Sequence, residues 1–91
     1  METYKRAIEH YGPQNQMKQS IEELAELIVA INKYTRYPDV IETKQHVAEE
    51  IADVLIMIDQ LKIILDIKEY EINSYKAYKL DRLEKRIERG E

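Results

Sequence analysis

No cysteine, phenylalanine or tryptophan occurs in this chain of 91 residues, and glycine and proline appear only twice each. The absence of cysteine excludes disulfides and thiolate metal sites, and nothing points to an oxidising compartment. Seven tyrosines are the whole aromatic complement. With so little Gly and Pro, regular structure has few interruptions, and these fall at Gly12-Pro13, Pro38 and Gly90, where breaks are wanted. An excess of base is missing too. Eighteen acids against fourteen bases give a formal charge of −4, so neither nucleic acid nor an anionic membrane is the expected partner. No apolar stretch reaches the roughly 20 residues that span a bilayer. The start, Met1-Glu2-Thr3-Tyr4-Lys5, has no signal-peptide core, and a cytoplasmic location is expected.

What remains is helical throughout. Ninety-one residues with 44% hydrophobic content make one domain, 1–91, whose core is thin for a single copy. Thr3 is placed to cap a helix over 4–11, and Gly12-Pro13 turns the chain into a second over 14–35. In the second, Met17, Ile21, Leu24, Ile28 and Ile31 form a heptad-like stripe. Asp39 with Glu42 has the form of a capping box for a third helix over 40–65, and Asp66 with Glu69 repeats it for a fourth over 67–89, closed by Gly90. From Ile51 to Leu65 apolar residues occupy almost every direction around the axis. A helix apolar all round is buried all round, which predicts a homo-oligomer, a dimer or a tetramer made as a dimer of dimers. The expected fold is therefore all-α, an antiparallel bundle of about four helices completed by oligomerisation.

Within this apolar sequence lie two acidic groups, Glu22-Glu23-x-x-Glu26 and Glu49-Glu50-x-x-Asp53. Residues three apart share a helix face, so Glu23 with Glu26, and Glu50 with Asp53, each aim two carboxylates at one spot. Antiparallel packing makes the four converge. Glu50 and Asp53 continue the line of Val54, Met57, Leu61 and Ile64, so they belong to a buried stripe and not to a solvated face. Buried carboxylates in such a group repel or take up protons unless cations neutralise them. Oxygen donors of this kind favour Mg²⁺, with Mn²⁺ as a substitute, or Ca²⁺ over zinc. Lys79, Arg82 and Arg86, at i, i+3 and i+7 of the fourth helix, share a face suited to phosphate.

The series Glu22-Glu23-Leu24-Ala25-Glu26-Leu27, followed by Glu49-Glu50-Ile51-Ala52-Asp53-Val54-Leu55, resembles the signature of the MazG-like all-α nucleoside triphosphate pyrophosphohydrolases. The likeness extends from about residue 14 to 87, with Gln16-Met17-Lys18 before the first motif and Tyr78-Lys79-Leu80-Asp81-Arg82 through Arg86 after the second. It implies Glu23, Glu26, Glu50 and Asp53 as magnesium ligands, and Glu22 as a further acid that positions water. The implied reaction splits a nucleoside triphosphate into monophosphate and pyrophosphate. One position departs: Leu83 stands where many relatives carry Asn, with Asn73 and Lys76 one turn earlier as substitutes.

Other residues carry less. Gln14, Asn15 and Gln16 suit either a base edge or a helix start. His46 lies one turn before Glu50, but the Glu-x-x-His pairs of carboxylate-bridged di-iron bundles are missing, and His10 has no acid motif beside it. Helix-spaced tyrosines fit packing at a wet edge better than base stacking. The expected function is metal-dependent hydrolysis of (deoxy)nucleoside triphosphates. Its alternative is a catalytically silent helical oligomer acting as an interaction module.

Overall fold

Each break in the sequence ends a helix in the computed structural model, which describes residues 1–91. The four helices are α1 (Glu2–Tyr11), α2 (Pro13–Arg36), α3 (Ile41–Ile64) and α4 (Glu69–Glu88), and there is no strand. Gly12 takes φ 92° between α1 and α2, a backbone that costs glycine nothing, while Pro13 enters α2 at its first position, where no amide donor is missed. None of the helices is long and apolar enough to cross a membrane.

Three expected caps are not made, the first because α1 starts two residues early, with Met1 at its N-cap, Thr3 inside the helix and no side chain capping the end. Val40, not Asp39, precedes the first residue of α3, and no side chain caps that end. Asp39 is taken up by the Tyr37–Val40 turn, closed by the Val40 amide on the Tyr37 carbonyl at 3.1 Å. The Thr43 hydroxyl instead meets the Val40 and Tyr37 carbonyls at 2.7 and 3.0 Å. Asp66 does not start α4 but ends α3: at φ 53° it forms the left-handed residue of a Schellman close, in which Ile67 N donates to Lys62 O (2.9 Å) and Asp66 N to Ile63 O (3.3 Å). α4 then begins two residues later than expected, with the Lys68 amide donating to the Glu71 carboxylate at 2.7 Å. Gly90 closes α4 with the same two-bond pattern, as its sequence position predicts.

α2 and α3 form an antiparallel hairpin, since Gln16 meets Gln60 at one end and Glu26 meets Glu50 nearer the turn. The contact face is unusually polar. On α2 it consists of Gln16, Ser20, Glu23, Leu27 and Ala30, and on α3 Thr43, Glu50, Val54, Met57 and Gln60 are buried. Only eight residues of the chain are buried, and five of them are polar. The Met17/Ile21/Leu24/Ile28/Ile31 stripe lies about 100° away around α2, and apart from the half-buried Met17 its members are outside: Ile21 is 67% exposed and Ile28 61%. By the same rotation Ile51, Leu55 and Ile58 of α3 emerge on that side, so the hairpin has one apolar face and, opposite it, one bearing acids.

α1 packs across α2 and α3, whereas α4 packs against none of the other helices. The four-helix bundle expected from the sequence is thus not closed within one chain. The radius of gyration is 16.6 Å, against about 12 Å for a compact domain of this length. The accessible surface is 7487 Å² for 10.9 kDa, where a compact monomer exposes about 5,600 Å².

Candidate metal centre

The hairpin brings three carboxylates together. Glu23 and Glu26, one turn apart on α2, face Glu50 of α3, and one oxygen from each lies within 4.8 Å of the others. Glu50 is buried and Glu23 half-buried, because both belong to the face by which the helices meet. Glu26 is at the exposed rim. Asp53, one turn beyond Glu50, is exposed on the same side, close enough for its carboxylate to act on Glu23.

The electrostatics are unresolved by protein groups. Two like charges 4.8 Å apart repel by about 3.5 kcal/mol at an effective dielectric of 20. Gln19 donates its side-chain amide to Glu23 Oε1 at 2.8 Å, which favours the charged form of Glu23. Burial and the neighbouring Glu26 and Asp53 carboxylates override it and push the Glu23 carboxyl above its ordinary range. No Lys or Arg makes an ion pair with any of the four acids. His46 approaches Glu50 at 3.7 Å and Glu49 at 3.9 Å, too far for a hydrogen bond. Glu23 Oε2 and Glu50 Oε2 are left buried with no hydrogen-bond partner at all. A bare acceptor in such a place costs roughly 1–3 kcal/mol, more when charged. A divalent cation would satisfy both oxygens at once.

The remaining residues singled out by sequence are distributed unevenly. Glu22 is exposed, about 100° around α2 from Glu23, and lies outside the cluster. Gln16 is buried at the far end of the hairpin, where its amide donates to Gln60 Oε1 at 2.7 Å. Lys76, Lys79, Arg82 and Arg86 are exposed on α4, and within one chain they do not come to the acids. Arg82 stacks its guanidinium over the Tyr78 ring, 5.9 Å from the centroid. Sequence reasoning missed Gln19, although its i, i+4 relation to Glu23 was the available signal. It also missed Gln60, whose partner is 44 residues away and leaves no local trace.

Fold and site together define an all-α protein whose carboxylates converge from two antiparallel helices to form a cluster fit for a metal ion. The particular family follows from comparison: residues 11–89 match the family model described as the MazG nucleotide pyrophosphohydrolase domain, and the chain belongs to that family. No curated protein and no solved structure matches it.

Proposed function

We propose that the protein is a metal-dependent nucleoside triphosphate pyrophosphohydrolase, a single domain over residues 1–91, acting on free (deoxy)nucleoside triphosphates in the cytoplasm as a house-cleaning enzyme. The observation that carries this reading is the pair of buried, unpartnered carboxylate oxygens, Glu23 Oε2 and Glu50 Oε2, on residues whose carboxylates converge with that of Glu26 across α2 and α3. Membership of the MazG family supplies the substrate class.

Glu23, Glu26, Glu50 and Asp53 hold Mg²⁺, or Mn²⁺ in its place, because a set of oxygen donors with no nitrogen or sulfur suits hard cations. Once bound, the ion supplies neutralisation of phosphate charge and a lowered pKa for water. The chain's own part is to fix positions. Gln19 holds one Glu23 oxygen, which leaves the other aimed between the helices. Glu22, exposed beside Glu23, accepts a hydrogen bond from water entering at the rim. The water oxygen bonds to the α phosphorus, the bond from that phosphorus to the α–β bridging oxygen breaks, pyrophosphate departs with the electron pair, and the water's proton passes to solvent. Lys76, Lys79, Arg82 and Arg86 bind phosphate oxygens, and the working unit is a homo-oligomer that covers the apolar hairpin face.

The test is pyrophosphate release against a panel of ribo- and deoxynucleoside triphosphates with Mg²⁺, with Mn²⁺ and with EDTA. Metal-dependent release with a matching monophosphate is expected. Silence across the panel from folded protein returns the chain to the interaction-module reading.

A further inference from the structure

The acid cluster forms one end of a groove along the seam of the hairpin. Glu26, Glu50, Ala25, Val29 and His46 line a hollow of about 430 Å³. A second hollow, of about 470 Å³, continues from the same His46 toward the α2–α3 turn, between Lys33 of α2 and Glu42, Thr43 and Glu49 of α3. Helix geometry sets the two in line. Lys33 follows Glu26 by two turns on one face of α2, a rise of about 10.5 Å. His46 lies one turn before Glu50 on the antiparallel α3, and so stands between the acids and Lys33.

Lys33 is the one Lys or Arg that lines this groove, and it makes no ion pair within the chain. A base in the last turn of α2 also balances the helix C-terminus, a service that Arg36 supplies as well. His46 has neither Glu49 nor Glu50 within hydrogen-bonding distance, and imidazole carries at least one N–H in either charge state, so that donor is free for an outside acceptor. Glu42 and Glu49 act the other way, but both are exposed and screened by water. A cation on the acids draws a phosphate chain to the near end of the groove. The flexible four-carbon stem of Lys33 covers part of the distance from the far end, and the second and third phosphates cover the rest. A diphosphate falls one phosphate short.

We propose that this groove holds the terminal phosphate of the substrate, with Lys33 binding it and His46 donating to the phosphate before it, so that the protein selects nucleoside triphosphates over diphosphates. The inference deepens the hydrolase reading of the acid cluster and rests on it for its catalytic meaning. Both kinds of nucleotide have an α–β bond to split, so the acids alone do not separate them. Lys33 acts within its own chain and adds to the bases of α4.

The binding half is tested without turnover. α,β-Methylene analogues of the common nucleoside triphosphates and diphosphates, whose α–β link resists hydrolysis, are titrated by calorimetry in Mg²⁺ into wild type, Lys33→Gln, Lys33→Arg and Lys44→Gln. Lys44 is exposed on the side of α3 away from the groove. Wild type is expected to bind at least one triphosphate analogue about tenfold more tightly than the matching diphosphate, the worth of one charge-assisted contact. Lys33→Gln should lose that preference while keeping the diphosphate affinity, Lys33→Arg should retain most of it, and Lys44→Gln all of it. No preference in wild type, or one that survives Lys33→Gln, overturns the proposal. In turnover, Lys33→Gln should raise KM about tenfold for triphosphates and leave it unchanged for diphosphates. Pyrophosphate release without that split brings down the groove alone. The expected analogue binding in a protein that releases no pyrophosphate upholds the groove and brings down the hydrolase reading alone.

Discussion

Replacing Glu50 by Gln should stabilise the metal-free protein. Glu50 is 7% exposed, its Oε2 has no partner, and carboxylate oxygens of Glu23 and Glu26 lie within 4.8 Å. Each repulsion is nominally about 3.5 kcal/mol at an effective dielectric of 20. Gln keeps the shape, removes the charge and brings an amide that donates to a neighbouring carboxylate. Against this stands the cost of burying the amide, which leaves a net gain of about 1–3 kcal/mol. For a domain of this size 1 kcal/mol moves Tm by about 4–8 °C. Thermal unfolding followed by far-UV circular dichroism in EDTA, at equal protomer concentration, should show the variant melting at least about 5 °C above wild type. Added Mg²⁺ should raise the wild-type Tm and leave the variant's unchanged. A variant less stable than wild type in EDTA refutes the claim that the cluster is an uncompensated group of charges.

Three further outcomes follow from the same geometry. The native pKa of Glu23 lies above its ordinary 4.5, so the folded state binds that proton more tightly than the unfolded. Metal-free stability from this group should therefore be greatest below pH 4.5 and decline as pH rises through the native value; Glu23→Gln should remove that part of the slope in a pH series of melts. Ile28→Asp, on the exposed apolar face of α2, should lower the mass measured by light scattering toward 10.9 kDa, and an unchanged mass would place the interface elsewhere. Gln60→Leu strands the buried Gln16 amide, with an expected loss of about 1–3 kcal/mol in urea unfolding, whereas the double change to Leu at both positions should recover most of it.

The acids were legible because their chemistry is local. Glu23 with Glu26, and Glu50 one turn before Val54, announce a face by spacing alone, and the structure sets three of them together. The breaks at Gly12-Pro13 and Gly90 were legible for the same reason, since a positive φ or a missing amide belongs to the residue itself. Asp39 and Asp66 misled because a short acidic side chain serves a turn or a left-handed helix end as well as it serves an N-cap, and only the chain's path chooses. The heptad-like stripe from Met17 to Ile31 is a face that, from Ile21 onward, the single chain leaves bare. Periodicity locates an apolar side but does not say which molecule covers it. For α4 the pattern showed a helix with two useful faces, but the Schellman close at Asp66 that ends α3, and the 2.9 Å Lys62–Glu69 bridge across that turn, are contacts no periodicity displays.

The most direct test of the central claim is a divalent-cation titration of wild type and Glu50→Gln, with bound Mn²⁺ followed by electron paramagnetic resonance. The account predicts saturable binding by wild type, competed by Mg²⁺, and a loss of about tenfold or more in affinity when Glu50 no longer carries charge. Equal binding by the two proteins would contradict it.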